Sequence, residues 1–557
     1  MMMRKFGQIG TLGALTAFFA VFLILPVLTV IEQGLRWPLL SEIFTNFIYL
    51  EGLLNSLLIA VVTTLMVFAI SLPLALIYDR FDFPLKNWTF LAVMAPMILP
   101  PFVGALGFQQ LLGHYGILNT LIVQAGGERL DFLGGPGKFW SVCFMEALHL
   151  YPILYLNLVT ALGNIDPALD EAGANLGAGK FYRFRRITMP LLKPGMLAGG
   201  SIVLVWSFTE LGTPLMFGYN RTTAVQIFNG ITELESNPLP YALVVVMLLF
   251  SAGLYSLSRL ALGGGAAANM SKGIAGSAAV KLRSWRRFLP TLGFAALAVT
   301  AILPHIALVF TAFSRRWYDS VLPYGATWMH VENALSNKIV VPSIINSLHY
   351  SILAMLFALV IGLLISIVTV RWRCRGSSLI DLASMLPLAV PGIVIAFGYL
   401  GMATKYDWAR HFFDPELNPV YLLAAAYAIR RLPYVVRSVS AGLEQTPVDL
   451  EQAARNLGAG AWATLRKITL PLISANLVVG GLFAFSFSML EVSDSLILAQ
   501  KAEFYPITKA IFELSQILGS GPYVACAFGV WAMLFLAATL AAAGSILGRR
   551  VGAIFKF

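Results

Sequence analysis

The chain has 557 residues, 58% hydrophobic and only 12% charged, with a formal net charge of +11. Soluble domains carry roughly 25% charged residues, so a water-soluble globular fold is excluded. Long, uniformly apolar runs such as 12–30, 56–78 and 529–547 match the length of membrane-crossing helices and exclude a barrel of short alternating strands.

The positive charge is not spread evenly. Arg80, Lys86, Arg283, Arg286, Arg287, Arg371, Arg373, Arg375, Arg549 and Arg550 all fall in segments that are cytoplasmic if the N-terminus is inside. That is the bias that orients polytopic membrane proteins, and it removes the need for a nucleic-acid partner. Cys143, Cys374 and Cys526 have neither metal-ligand spacing nor the pattern of a disulfide framework. The first apolar run is longer than a signal-peptide core and is expected to be retained.

In chain order, spans are expected near 9–31, 53–78, 88–112, 139–163, 196–218 and 238–262. Six more follow near 288–313, 344–370, 379–402, 418–443, 477–500 and 522–547. The fold class is therefore an all-α polytopic membrane protein of about twelve transmembrane helices. The second six repeat the first. Pro96, Pro100 and Gly107 recur as Pro387, Pro391 and Gly398, an offset of 291. Asn175-Leu176-Gly177 recurs as Asn456-Leu457-Gly458, Ile187 as Ile468, Pro190 as Pro471 and Glu210 as Glu491, an offset of 281. Six is an even number, so both units start and end on the cytoplasmic side, as parallel repeats related by an axis along the membrane normal. The expected units are a first transmembrane domain, 1–262, a Gly-, Ala- and Ser-rich cytoplasmic linker, 263–284, and a second transmembrane domain, 285–557.

Between the fourth and fifth spans of each unit lies a matched loop. In the first, Asp166-Pro167 opens a short helix through Glu171-Ala172-Gly173 to Gly177. In the second, Thr446-Pro447 opens one through Glu451-Gln452-Ala453-Ala454 to Gly458. Asp166 and Thr446 are expected to be N-caps with proline at the first helical position, and the glycines to end the helices. The small residues in the middle suit close seating against a partner. A basic stretch follows, which Pro190 or Pro471 is expected to stop before the next span.

This pattern resembles the EAA loop of bacterial ABC-importer permeases: Glu-Ala-Ala, three residues, Gly, nine residues, Ile, one residue, Leu-Pro. Both copies keep the Gly-to-Ile spacing; the first departs at Gly173 and Met189, and the second has Gln452 where the Glu aligns. The resemblance implies that Glu171, Ala172, Gly173, Gly177, Ile187 and Pro190, with Glu451, Gln452, Ala453, Ala454, Gly458, Ile468 and Pro471, dock on a cytoplasmic ATPase. It implies two ATPase copies, an external solute-binding protein, and a multi-pass location in the bacterial inner membrane with both termini cytoplasmic. No phosphate-binding loop is present in the sequence, since Gly134-Gly135-Pro136-Gly137-Lys138 lacks its spacing. ATP is therefore expected on the partner, and neither enzymatic activity nor a cofactor or metal on this chain. Fused two-unit permeases of this kind occur among ferric iron importers, and also serve thiamine and aminoethylphosphonate, with polyamine as a further alternative. His149-Leu150-Tyr151-Pro152, Glu210-Leu211-Gly212-Thr213-Pro214 and Arg430-Arg431-Leu432-Pro433 look like the ferric group.

Glu210, Glu491 and Arg430 fall within apolar spans, where an ionised side chain needs a partner or a watery cavity. Two readings stay open: a cation pathway flanked by the two glutamates, or a structural pair of Glu491 with a neighbouring arginine. An ion-coupled secondary transporter also has twelve spans in parallel halves, but has no need of paired docking loops.

Overall fold

The computed structural model describes residues 2–98, 101–234, 237–262, 280–282, 284–415 and 417–547. The first unit runs through α1 (Gln8–Gly34), α2 (Phe47–Arg80), α3 (Lys86–Ile98), α4 (Pro101–Leu112) and α5 (Gly135–Gly163). It continues through α6 (Pro167–Asn175), α7 (Met189–Phe208), α8 (Gly212–Met216), α9 (Thr223–Asn229) and α10 (Leu239–Leu262). The second comprises α11 (Phe288–Ala312), α12 (Val340–Ser366), α13 (Ser377–Met385), α14 (Gly392–Lys405) and α15 (Val420–Gln445). It ends with α16 (Val448–Asn456), α17 (Ser474–Met489), α18 (Ser493–Leu498), α19 (Ile507–Gln516) and α20 (Gly521–Leu547).

Among the described residues eight helices are long and apolar enough to cross a membrane, and three sharply bent pairs raise the number to 11. The remaining expected span is α15. Arg430, Arg431, Arg437 and Glu444 make it more polar, yet it packs between α12 and α17 as α5 packs between α2 and α7. Arg430 and Arg431 are accommodated because they pair with Glu491 on the neighbouring α17–α18 segment, while Arg437 and Glu444 are exposed.

The third span of each unit is broken into two helices: α3 meets α4 at 93°, and α13 meets α14 at 102°. In the second unit Leu386–Leu388 tightens into a 3₁₀ turn and Pro391 caps α14. A proline donates no hydrogen bond and drives the preceding residue out of the helical region, so the chain turns there. Pro100, the matching position, lies outside the described residues, as does most of the expected linker, 263–279. Val280–Lys281, at the linker's end, runs beside Phe81–Asp82 in a short parallel ladder.

One expectation changes, at Pro190 and Pro471, which do not stop the basic stretch. A wide π-helical turn precedes each, at Phe184–Thr188 and Leu465–Thr469. Its i→i+5 bonds, from Met189 N to Phe184 O and from Leu470 N to Leu465 O, carry the helix across the proline. In the first unit the span is then continuous over Lys180–Met216. In the second it bends by 74° between Leu472 and Ser474.

The units exchange their first spans. The end of α1 packs on α14 of the second unit, and α11 packs on α3 and α4 of the first. The exchange depends on repeat-matched glycines. A Cβ on Gly107 would lie 1.7 Å from the Pro304 carbonyl oxygen, and one on Gly398 would lie 2.5 Å from the Pro26 side chain. Small residues let helix backbones approach this closely inside a membrane, where packing rather than apolar burial drives association. Gly107→Leu or Gly398→Leu is therefore expected to destabilise the folded chain by about 3 kcal/mol or more. Gly293→Ala, where a Cβ meets nothing within 4 Å, is expected to be neutral or stabilising by up to ~1 kcal/mol. Thermal unfolding of the purified chain in detergent checks both.

Candidate coupling loops and axial pathway

The two short helices α6 and α16 are built from the same backbone bonds. Ala178 N reaches Gly173 O at 3.0 Å and Gly177 N reaches Ala174 O at 2.9 Å; Ala459 N reaches Ala454 O and Gly458 N reaches Arg455 O at the same distances. This closes each helix with a left-handed residue, and Gly177 and Gly458 have φ of +79° and +86°. Glycine occupies that region without steric cost, which is why it stands there.

The N-terminal ends differ. Asp166 caps α6, its Oδ1 accepting from Ala168 N at 2.9 Å. Thr446 does not cap α16. Its hydroxyl donates back to Gly442 O at 2.8 Å, and Pro447 is the residue that precedes the helix. The repeat offset of 281 aligns Asp166 with Pro447 rather than with Thr446, so the second helix starts one residue later than its Thr-Pro suggests.

The small residues do not all face outward. A Cβ at Gly173 would lie 3.0 Å from Ile187 Cδ1 and 3.2 Å from Arg183 Cδ, so this glycine admits the loop's own following helix rather than a partner. Ala454, its equivalent, is half-buried, as are Ile187 and Ile468. Glu171, Gln452, Ala172, Ala453, Pro190 and Pro471 are exposed. Glu451 is buried and bonded within its own unit, to Arg371 and Thr469.

What the loops present outward is apolar. Leu176 and Leu457 are 88% and 89% exposed, and Phe181 and Trp462 are 75% and 71% exposed. Each pair is related by the 281 offset. Each loop thus exposes two large apolar side chains at matched positions. Sequence reasoning had missed these four. The available signal was the recurrence of an apolar residue directly before each helix-ending glycine.

At the other end of the fifth spans, the chain folds back through α8 and α9 or through α18 and α19. Phe228 of α9 and Lys509 of α19 are repeat equivalents, and they touch: Lys509 Nζ lies 5.4 Å from the Phe228 ring centre. Equivalent residues of a two-fold pair meet only near its axis, so this contact locates the pseudo-two-fold. Phe512 stands edge-on to Phe228 at 6.0 Å, and Lys509 is also placed over Tyr505 and Phe512 and paired with Glu513 at 3.0 Å. A second contact joins the units: a Cβ on Gly212 would lie 3.2 Å from Val492, again across the axis.

Glu210 and Glu491 stand beside that second contact, but in different environments. Glu210 is half-buried and its Oε1 accepts from Gly212 N and Thr213 N at 3.1 and 3.3 Å, capping α8. Glu491 is buried between Arg430 and Arg431, so the structural pairing applies to it. Arg430 also lies 3.4 Å from Asp494 and rests over Gly392 at the α13–α14 bend. His149, the repeat equivalent of Arg430, likewise meets the first unit's bend, its Nδ1 3.0 Å from Pro96 O. The Glu491 carbonyl accepts from Thr508 Oγ1 of α19 at 2.6 Å, joining the charged cluster to the axial contact. Glu146 is buried apart from these, its Oε2 accepting from Ser207 and, at 3.5 Å, from Thr63. Among the described residues no three His, Cys, Asp or Glu side chains form a cluster able to hold a metal ion.

Residues 11–262 and 358–550 match the family described as the binding-protein-dependent transport system inner membrane component, and the chain belongs to that family. It is an ABC-importer permease in which the permease unit occurs twice. It is 26% identical over 84% of its length to the ferric transport system permease protein FbpB of Actinobacillus pleuropneumoniae, of which the match covers 65%. It is 25% identical over 85% of its length to the Fe(3+)-transport system permease protein FbpB 2 of Haemophilus influenzae, of which 86% is covered. Over 32% of the chain it is 33% identical to the molybdenum transport system permease protein ModB of Escherichia coli, of which 80% is covered.

Gly177→Val is expected to cost the first loop about 1–2 kcal/mol, because a β-branched residue is strained at φ of +79°. A Cβ there meets no neighbour within 4 Å, so the spans should be unaffected. Amide hydrogen exchange checks this: residues 174–178 should lose protection while α5 and α7 keep theirs.

Proposed function

We propose that this chain is the membrane channel of a ferric-iron importer of the inner membrane, driven by two copies of a cytoplasmic ATPase, one at each coupling loop. The observation that carries the reading is the matched pair of exposed apolar faces, Leu176 with Phe181 and Leu457 with Trp462, at repeat-related positions. One ATPase surface can seat on each, and ATP is bound there rather than by this chain. The termini and the loops lie in the cytoplasm, and 263–284 links the domain of 1–262 to that of 285–557. An external solute-binding protein delivers substrate to the opposite face. Ferric iron is supported by the similarity to ferric permeases over most of the chain. A second reading, an oxyanion such as molybdate, is favoured by the similarity to the molybdenum permease and by Arg430, Arg431 and Lys509 around the axis.

Native mass measurement of the purified complex is expected to give one chain with two ATPase subunits, and Leu457→Asp to release one of them, since a charge placed in an apolar contact loses its hydration. One ATPase per chain at full activity would overturn the two-loop reading. Uptake of labelled ferric iron, with molybdate as the competing label, decides the substrate: accumulation of molybdate alone refutes iron.

The substrate path runs along the pseudo-two-fold axis, flanked by Glu210 and Glu491 with Arg430. It is shut at its outer end by Phe228, Lys509 and Phe512. In a background with Cys143, Cys374 and Cys526 replaced by Ala, the pair Phe228→Cys and Lys509→Cys should cross-link under oxidation. Uptake should stop, and it should return on reduction. A cross-linked chain that transports at the unlinked rate would show that substrate passes elsewhere.

A further inference from the structure

The two coupling loops share a backbone course but not an anchor. In the second, the Glu451 side chain of α16 is only 8% exposed and Arg371 only 10%. Arg371 Nε donates to Glu451 Oε1 at 2.9 Å, and a second guanidinium nitrogen donates to Thr446 O at 3.0 Å. Thr469 Oγ1 donates to the same carboxylate oxygen at 3.2 Å. These partners come from two different spans. Arg371 lies in the π-helical turn Ile367–Trp372 that ends the second span, and Thr469 ends the π-helical turn Leu465–Thr469 that opens the fifth. One carboxylate thus joins the loop helix to both. On its open side the junction borders a cavity of about 580 Å³ lined by Val370, Arg371, Arg373, Glu444, Thr446, Pro447 and Val448.

The first unit has the same three positions with one residue changed. Asp170 stands in place of Glu451, while Arg80 and Thr188 match Arg371 and Thr469. Asp170 is one methylene shorter and pairs instead with Arg183 of its own loop, at 3.2 Å. Arg80 reaches Thr188 Oγ1, at 3.4 Å. Thr464 stands where the second unit would need the arginine equivalent to Arg183, so the exchange of partners is reciprocal. The Asp170 side chain is 45% exposed, and a pair open to solvent on one side restrains a loop more weakly than a buried one. A buried, multiply bonded pair is costly to break from one side.

We infer that Glu451, held by Arg371, is a positioning residue that locks the second coupling loop to the second and fifth spans of its unit, so that the two ATPase strokes enter the bundle unequally. The inference rests on the docking role proposed above. Motion imposed on α16 is carried by the buried carboxylate into the turn that ends α12 and the turn that leads to α17, whereas α6 passes motion on through its own chain, the half-exposed Asp170–Arg183 pair and the Gly173 contact, all to the helix that follows it. Neither residue touches substrate.

The test uses the whole complex in lipid vesicles, with its ATPase and its binding protein, and reads substrate transported per ATP hydrolysed. Glu451→Gln keeps size and removes charge. It is expected to retain bound ATPase and continuing hydrolysis, while transport per ATP falls about tenfold; Asp170→Asn is expected to change it less than about twofold. Glu451→Asp, which reproduces the first unit's residue, should fall between wild type and Glu451→Gln. If Glu451→Gln fails to assemble, Arg371→Lys, which cannot reach both Glu451 and Thr446, decides the same point. An unchanged ratio in the charge-removed variant, or equal losses in the two units, overturns the inference. A Leu457→Asp complex that keeps both ATPase subunits overturns the docking role instead.

Discussion

Two backbones pressed together at glycine hold this molecule in register. Where Gly107 meets the Pro304 carbonyl and Gly398 meets Pro26, a side chain on either glycine would separate the units. Lipid is as apolar as the helices, so burial alone gives no preference for one helix neighbour over another. Close approach does give one, because dispersion and backbone dipoles fall off steeply with distance. Each unit lends its first span to the other, and the pseudo-two-fold axis is a consequence of that exchange.

With the axis set, equivalent residues have defined partners. Phe228 faces Lys509, and Gly212 lies against Val492. Identity of position does not require identity of chemistry: one unit supplies a ring and the other a cation to the same contact. The charged spans follow the same rule. His149 and Arg430 both meet the bend of their third span, but only Arg430 carries a charge, and Glu491 and Asp494 gather around it. In the first unit Glu210 turns instead to the exposed backbone amides of α8, which satisfy a carboxylate without a second buried charge.

The two matched loops show duplication and divergence on a smaller scale. Their helix ends coincide in hydrogen bonding and in positive φ, because the closing turn is a property of short-range backbone geometry. Their anchors differ because a single methylene decides whether a carboxylate reaches the neighbouring span. The apolar knobs at Leu176 and Leu457 were conserved in exposure through the same divergence.

Helical class, the twofold repeat, the loop positions and the glycine turns were legible in the sequence. Each depends on hydropathy over ~20 residues, on fixed offsets, or on local φ preference. Four features were not. The 93° and 102° bends depend on how a proline's missing donor is compensated by neighbours. The π-helical turns that carry Pro190 and Pro471 depend on the same accommodation. The inward face of Gly173 and the outward face of Leu176 are set by how the loop folds on its own following helix. The arginine partners of Glu491 and Glu451 are chosen across separations of 60 to 80 residues, as for Arg431 with Glu491 and Arg371 with Glu451. The sequence by itself determined which groups must be satisfied, since the cost of an unpaired charge or amide in lipid is local. Only the tertiary structure decided by which partner, because reach is a distance in space and not along the chain.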